Sequence, residues 1–297
     1  MREARTARAY QAIDWLTERV LEALARADAV DPIALMLLLR RYGATDRADL
    51  ADAFGLALAR AIESRAFDDS RAPSERTDWL MLLSEASKMS EDERLPATAA
   101  NLVSSLRQDW SHLQLVEPLA SSIDACLTAA EILDPRGDPR ELVPHAIDEL
   151  ERVISGAYRP GDGMASSVGE RNVPRRLGDQ VRSASALLTA FSSTGRLPYA
   201  MLAEELMQFA RRTLWDDETG GFLDAPFLLN CEAARVLCRL AALHDAEEYR
   251  QRAVLAPGAD HGLAAGRILA ALEPLYRDEG VKGAIYGVAL GEWLARP

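Results

Sequence analysis

The sequence predicts an all-α protein built from helices in pairs. Three observations carry this reading. Beta-branched residues are sparse and no run alternates with period two for long, while apolar residues recur at helical spacing through most of the chain. Clusters of Gly and Pro punctuate that periodicity at intervals. Helices of two characters then follow one another. Amphipathic, heavily charged segments alternate with segments rich in Ala, Ser and Cys and poor in charge.

Taken in order, the spacing marks helices near 9–27, 32–42, 46–65, 75–89, 92–108, 115–132, 138–157, 177–194, 198–214, 226–243, 245–256, 262–274 and 281–295, with no significant sheet. The breaks between them are Asp31-Pro32, GATDR after Tyr42, LDPRGDP at 133–139 and STGRLP at 193–198. Asp138 ahead of Pro139 suits an N-cap followed by proline at the first helical position. Helices near 46–65, 138–157 and 198–214 bury one stripe and show the other to water, as in YAMLAEELMQFARRTLW. Their partners LASSIDACLTAA (119–130), SASALLTAFSST (183–194) and FLLNCEAARVLCRLAAL (227–243) carry small residues on every side, which implies close neighbours on every side. The chain therefore reads as outer and inner helices in turn.

The connections alternate too. Inner-to-outer turns such as STGRL are short, while outer-to-inner connections such as AFDDSRAPSE (66–75), YRPGDGMASSVGERNVPRR (158–176) and WDDETGGFLDAP (215–226) are long and polar. In an up-and-down arrangement these long loops emerge on one side, where function usually gathers. Outer helices end on Phe67, Trp110, Tyr158 and Trp215, at spacings of 43, 48 and 57 residues. Acids stand close to each: Asp68 and Asp69, Asp109, Asp162, Asp216 and Asp217. LWDDETGGFLD (214–224) is the fullest copy of this element: an aromatic packs down and glycines turn the chain into the inner helix. LYRDEG (275–280) has the same character, but APGADHG (256–262) competes for the sixth such position.

Composition narrows the function classes. A net charge of −12 and a pI near 4.9 argue against nucleic acid, whose phosphates call for a basic stripe. Of the 34 basic residues only Lys88 and Lys282 are lysine, so the many arginines follow a compositional bias. No run approaches the roughly 18 apolar residues of a membrane span, and MREARTARAYQAIDW has no apolar leader core. The expectation is a cytoplasmic protein with no membrane contact. Cys126, Cys231 and Cys238 form no CxxC pair and read as buried, reduced thiols; a structural zinc site would need more ligands.

Stacked helix pairs occur as open solenoids, which bind proteins along a concave face, or as closed α/α toroids. About six pairs, loops of unequal length and the absence of a tetratricopeptide or ankyrin signature favour the toroid, read here as a single domain over residues 1–297. The segment RRLGDQVRSASALLTAFSSTGRLPYAMLAEELMQFARRTLWDDETGGFLDAP (175–226), followed by NCEAARVLCRLAAL (230–243), resembles the toroid domain of bacterial thioredoxin-domain-containing proteins related to spermatogenesis-associated protein 20. It is more distantly similar to the N-acylglucosamine 2-epimerase and six-hairpin glycosidase superfamily. The resemblance implies an (α/α)6 toroid with a sugar-sized cavity. This chain lacks the thioredoxin-like domain with its paired cysteines, and His112, His145, His244 and His261 are its only histidines, so no activity carries over.

In such a ring the cavity opens at the N-termini of the inner helices, whose free N–H groups and partial positive charge attract anions and polarised hydroxyls. The first turns there supply the candidates. Asp78, Glu117 and Asp179 are the candidate catalytic carboxylates, with Asp124 deeper in. Trp79, Trp110, Arg176, Gln180, Trp215, Asn230 and His261 are the candidate substrate-binding residues. Paired carboxylates suit glycoside or sugar-isomerising chemistry, one as acid and the other as base or nucleophile, and indoles offer faces for sugar rings. Each has a plainer reading: a first-turn carboxylate as a cap, an aromatic as a rim plug, His261 as an exposed loop residue. Asp216, Asp217 and Glu218 do not form the acidic metal motif of a terpene cyclase, because Gly220 and Gly221 break the helix. GDGMASSVGE (161–170) reads as a flexible loop, and no phosphate loop, HExxH or GxSxG occurs. The expected function is a carbohydrate-active enzyme, a hydrolase or isomerase of a small sugar derivative, needing neither metal nor cofactor. The alternative is a non-catalytic toroid that binds a small ligand or a partner protein.

Overall fold

The structure, a computed structural model, describes residues 2–26, 31–65, 67–68, 71–133, 139–170, 173–222, 225–252 and 259–296. Asp69 and the expected N-cap Asp138 lie outside the described residues. The helices are α1 (Arg2–Ala25), α2 (Pro32–Thr45), α3 (Ala48–Glu63), α4 (Pro73–Met89), α5 (Arg94–Trp110), α6 (Val116–Ala129), α7 (Pro139–Ala157), α8 (Leu177–Thr194), α9 (Leu197–Thr213), α10 (Phe227–Asp245), α11 (Glu247–Arg252), α12 (His261–Leu272) and α13 (Ala284–Leu294). Two short hairpins interrupt them: β1 (Tyr158–Arg159) with β2 (Gly163–Met164), and β3 (Trp215–Asp216) with β4 (Gly221–Phe222). Among the described residues no helix is long and apolar enough to cross a membrane.

The contacts sort into two compact units. One holds residues 67–215 and 246–259, the other residues 1–66, 216–245 and 260–297. In the first unit α4, α6 and α8 are the inner helices. They run parallel: Lys88 near the end of α4 meets Glu131 just past α6 at 2.6 Å, and Asp124 of α6 accepts from Ser185 Oγ and Thr189 Oγ1 of α8 at 2.5 and 2.6 Å. Ala120, Ala125, Ala184 and Ala186, all fully buried, let these helices approach closely. The outer partners lie against them by one stripe. Leu102, Leu106 and Trp110 of α5 are buried, and buried Arg76 of α4 bonds Asp109 of α5 at 2.5 Å. Burying a Leu of this kind contributes about 1.5–3 kcal/mol.

In the second unit the register of the last helices becomes clear. Arg40, Arg235 and Glu292 are each the ninth residue of α2, α10 and α13. Glu292 bonds both arginines, Arg40 at 2.5 Å and Arg235 at 3.0 Å, and nearer the helix starts Gly287 lies against Leu37 and Tyr286 against Phe227, so the three helices run parallel and in step. α12 runs the other way: Tyr286 Oη near the start of α13 donates to the Leu269 carbonyl at 2.9 Å, while Gly266 faces Trp293 near its end. α13 is therefore an inner helix and α12 its outer partner. Buried Ala284–Leu290 fit that place.

The sixth outer-to-inner connection is the LYRDEG turn, whose buried Tyr276 stacks on Tyr286 at 5.3 Å. The sequence placed His261 ahead of an inner helix; it heads an outer one. The helix inventory is that of an (α/α)6 toroid, with α1, α3, α5, α7, α9 and α12 outer, α2, α4, α6, α8, α10 and α13 inner, and α11 a short addition. The three cysteines are free and buried, and burial pushes the Cys126 thiol up to about 12, which makes it unreactive.

Candidate functional site

The site is built on the passage from α7 to α8. After α7 the chain forms the β1–β2 hairpin, with Tyr158 opposite Met164 and Arg159 opposite Gly163. Gly163 has a φ of +71°, and a Cβ there would stand 2.6 Å from Gln180 Oε1, so only glycine fits. Gln180, in the first turn of α8 and 0 % exposed, accepts from the Met164 N–H and donates to the Met164 carbonyl, both at 2.8 Å. This clamp fixes the residues that follow. Ser166 donates its N–H to the Pro174 carbonyl at 3.1 Å and accepts from the Val116 N–H at 3.1 Å. Residues 163–167 are all buried, so the middle of the segment expected to be a flexible loop is packed into the interior, while Gly161, Asp162, Gly169 and Glu170 at its ends are exposed.

Ser166 then reaches Asp179. Its Oγ lies 2.8 Å from Asp179 Oδ2 and 2.5 Å from the Pro174 carbonyl oxygen, and the Arg176 N–H meets the same Oδ2 at 3.3 Å. Asp179 is 2 % exposed. Burial pushes its carboxyl up to about 6, against the pull of the Ser166 and Arg176 bonds on the ionised form, and the neighbouring Glu117 charge adds to the rise. Glu117, in the first turn of α6, rests its carboxylate on Gly178: a Cβ on that glycine would stand 2.4 Å from Glu117 Oε2. The positive end of α8 favours a carboxylate there. The result is a carboxyl poised to be neutral near pH 6 beside a second carboxylate at the same helix end.

Glycine at 178 is therefore a site residue. Gly178→Ala is expected to displace the Glu117 carboxylate rather than the helix, since the clashing atoms end a flexible side chain. The expected outcome is a Tm within a few degrees of wild type and an Asp179 titration midpoint that falls as the Glu117 charge moves off. A carboxyl-carbon NMR titration checks it, and an unmoved midpoint would speak against the pairing.

The remaining candidates take varied places. Arg176 is exposed beside the pair. Asp78 is partly exposed on α4. Trp79 packs against Phe67 at 5.5 Å, and Trp110 donates from Nε1 to Ser122 Oγ at 2.8 Å with its edge on His145. At 3 % and 2 % exposure neither indole has a face open to a ligand. Trp215 is half-buried with the Arg211 guanidinium 5.8 Å over its ring. His261 is buried with its ring against His244 at 4.9 Å.

Asn230 repeats the work of Gln180. In the first turn of α10 it accepts from the Phe222 N–H at 3.0 Å and donates to the Ala225 carbonyl at 3.2 Å. Residues 214–222, LWDDETGGF, thus form a second amide-clamped hairpin. Its acids close the turn: Asp216 accepts from the Glu218 N–H at 2.9 Å and Thr219 Oγ1 at 2.8 Å, and Asp217 meets Arg267 at 3.3 Å. Ser166 was not singled out by the sequence; the only hint was its place after the apolar Met164-Ala165.

No family model matches the sequence, and no curated protein sequence matches it. Among solved structures the chain is similar to a GH76 alpha-mannanase from Bacteroides thetaiotaomicron, with a TM-score of 0.67 at 9 % identity over 94 % of this chain and 95 % of that one. It is also similar to a D-mannose isomerase, with a TM-score of 0.59 at 12 % identity over 81 % of this chain and 73 % of that one. At these identities the likeness is one of fold: the chain is an α/α toroid.

Proposed function

We propose that the chain is a carbohydrate-active enzyme, a hydrolase or isomerase of a small sugar derivative, with Asp179 as its acid and Glu117 as the base or nucleophile. The observation that carries this is the pair itself: a buried carboxyl raised to about 6 next to a second carboxylate at one helix end. Two carboxylates in unlike surroundings divide into a proton donor and an ionised partner, which both glycoside cleavage and sugar isomerisation require. The fold neighbours, a mannanase and a mannose isomerase, act on sugars by those two routes and support the same class. Arg176, exposed beside the pair, is the cation for substrate oxygen. Asp78 stands as the third carboxylate of the reading.

The test is a thermal-shift screen against sugars, sugar acids and amino sugars. A ligand at 100 times its Kd stabilises the native state by about 2.7 kcal/mol. Wild type is expected to give a stabilising hit that Asp179→Asn and Glu117→Gln each weaken by tenfold or more in affinity, with turnover of that sugar lost in both. A screen that is flat for all sugars would sink the proposal.

A further inference from the structure

We propose that Ser166 is the positioning residue of this site, a hydroxyl switch that faces Pro174 while Asp179 is an acid and turns to Asp179 once its proton is gone. The inference rests on Asp179 being the acid of the proposed function, and it follows from counting protons. A serine hydroxyl has one proton. Two oxygens lie within hydrogen-bond distance of Ser166 Oγ: the Pro174 carbonyl at 2.5 Å and Asp179 Oδ2 at 2.8 Å. A peptide carbonyl can only accept, and an ionised carboxylate can only accept. With Asp179 ionised, one of the two contacts is left as facing lone pairs. With Asp179 protonated both are made: Asp179 Oδ2–H donates to Ser166 Oγ, and Ser166 Oγ–H donates to Pro174. The Arg176 N–H at 3.3 Å stays compatible, because the carboxyl oxygen still accepts.

The ionised state is served by the same hydroxyl. When the carboxyl gives its proton to a substrate oxygen, the Asp179 O–H bond breaks and an O–H bond forms on the substrate. Ser166 loses no proton; it rotates about its Cβ–Oγ bond and donates to the new carboxylate, a charge-assisted bond. Pro174 is not orphaned by the turn, since its carbonyl keeps the Ser166 N–H at 3.1 Å. In each protonation state Asp179 and Pro174 both keep a partner, the ionised state at the cost of one lone-pair contact between Ser166 Oγ and the Pro174 carbonyl, and the switch is held in reach by the Gln180 clamp on Met164, two residues before it.

Neutron diffraction at low and high pD tests this directly. At pD near 5 the expected map shows a deuteron between Asp179 and Ser166 and the Ser166 deuteroxyl on Pro174. At pD near 8 the deuteroxyl points to Asp179. One orientation at both pD values would overturn the proposal. Solution NMR gives a second arm. A fixed donor stabilises only the carboxylate, so its loss in Ser166→Ala raises the proton affinity of Asp179 tenfold or more. A switch serves both forms, so the change is expected to stay below tenfold. A tenfold rise would overturn the switch. Neither readout uses a substrate, so a flat sugar screen would remove the catalytic role of Asp179 without deciding the orientation of Ser166.

Discussion

Glu292→Ala is expected to destabilise the protein by about 3 kcal/mol at neutral pH. Glu292 sits between Arg40 and Arg235, and Arg235 also reaches Glu232 at 3.6 Å. Burial alone would raise the Glu292 carboxyl, but the two guanidinium charges and their hydrogen bonds override it and hold it at about 2. From the ordinary 4.5 that is about 2.5 units, or about 3 kcal/mol at 1.36 kcal/mol each. Removing the anion also leaves two like charges facing α13 from α2 and α10, and breaking a fully buried pair by one partner costs about 3–5 kcal/mol, an upper bound for side chains about a quarter exposed. A pocket of about 390 Å³, lined by Leu37, Arg40, Gly287, Gly291 and Glu292 among others, opens beside the triad and admits water, which favours the lower figure.

The sign fixes the pH window. A depressed carboxyl contributes stability that is present above the unfolded value of 4.5 and lost as pH falls through about 2. The gap between wild type and Glu292→Gln, measured by urea unfolding, is therefore expected to be widest near neutrality and to close in acid. A gap of the same size at pH 7 and pH 2.5 would show that the triad acts by packing alone.

How much of this was legible in the sequence can be argued residue by residue. The pairing of helices was, because charge-poor segments such as SASALLTAFSST cannot tolerate solvent on any side. AIYGVALGEWL is equally poor in charge, but the sequence reading put an inner helix after His261 and left the register of the last helices open. Two glycine-bearing turns, APGADHG and LYRDEG, offered rival registers there, and only the meeting of Glu292 with Arg40 and Arg235 decides between them. Glu117 and Asp179 could be placed in first turns from spacing alone. Their adjacency could not, since it depends on a missing Cβ at Gly178 in another element. Gln180 and Asn230 were visible as polar residues at the heads of inner helices, but first-turn position does not reveal whether an amide faces a ligand or a backbone. Ser166 was the least visible, because its role needs Pro174 and Asp179, respectively eight and thirteen residues away, to converge on one hydroxyl.

Asp179→Asn is expected to stabilise the protein at pH 8, by about 3 kcal/mol, and to leave it nearly unchanged at pH 4. The folded carboxyl is raised from 3.8 to about 6, mainly by burial. Well below pH 3.8 it is protonated in both states and adds no penalty, and at pH 4 the penalty is only about 0.6 kcal/mol. As pH rises through 6 the native state must ionise a buried group beside Glu117 that the unfolded chain ionises freely. The contribution of a raised carboxyl is therefore lost on going up through its folded value. About two units correspond to about 3 kcal/mol. Asparagine removes the charge and nearly keeps the shape: Ser166 Oγ and the Arg176 N–H meet the same Oδ2, and an amide oxygen placed there accepts from both, as the carboxylate does. If Asp179 were only a helix cap and dipole partner, the substitution would instead cost a few tenths to 1 kcal/mol, more at pH 8 than at pH 4. Urea unfolding at the two pH values separates the cases by sign. A gain at pH 8 identifies a group held against its own ionisation, as an acid kept ready for proton transfer must be. A loss at pH 8 would make Asp179 a cap, and the pair with Glu117 would then have no acid.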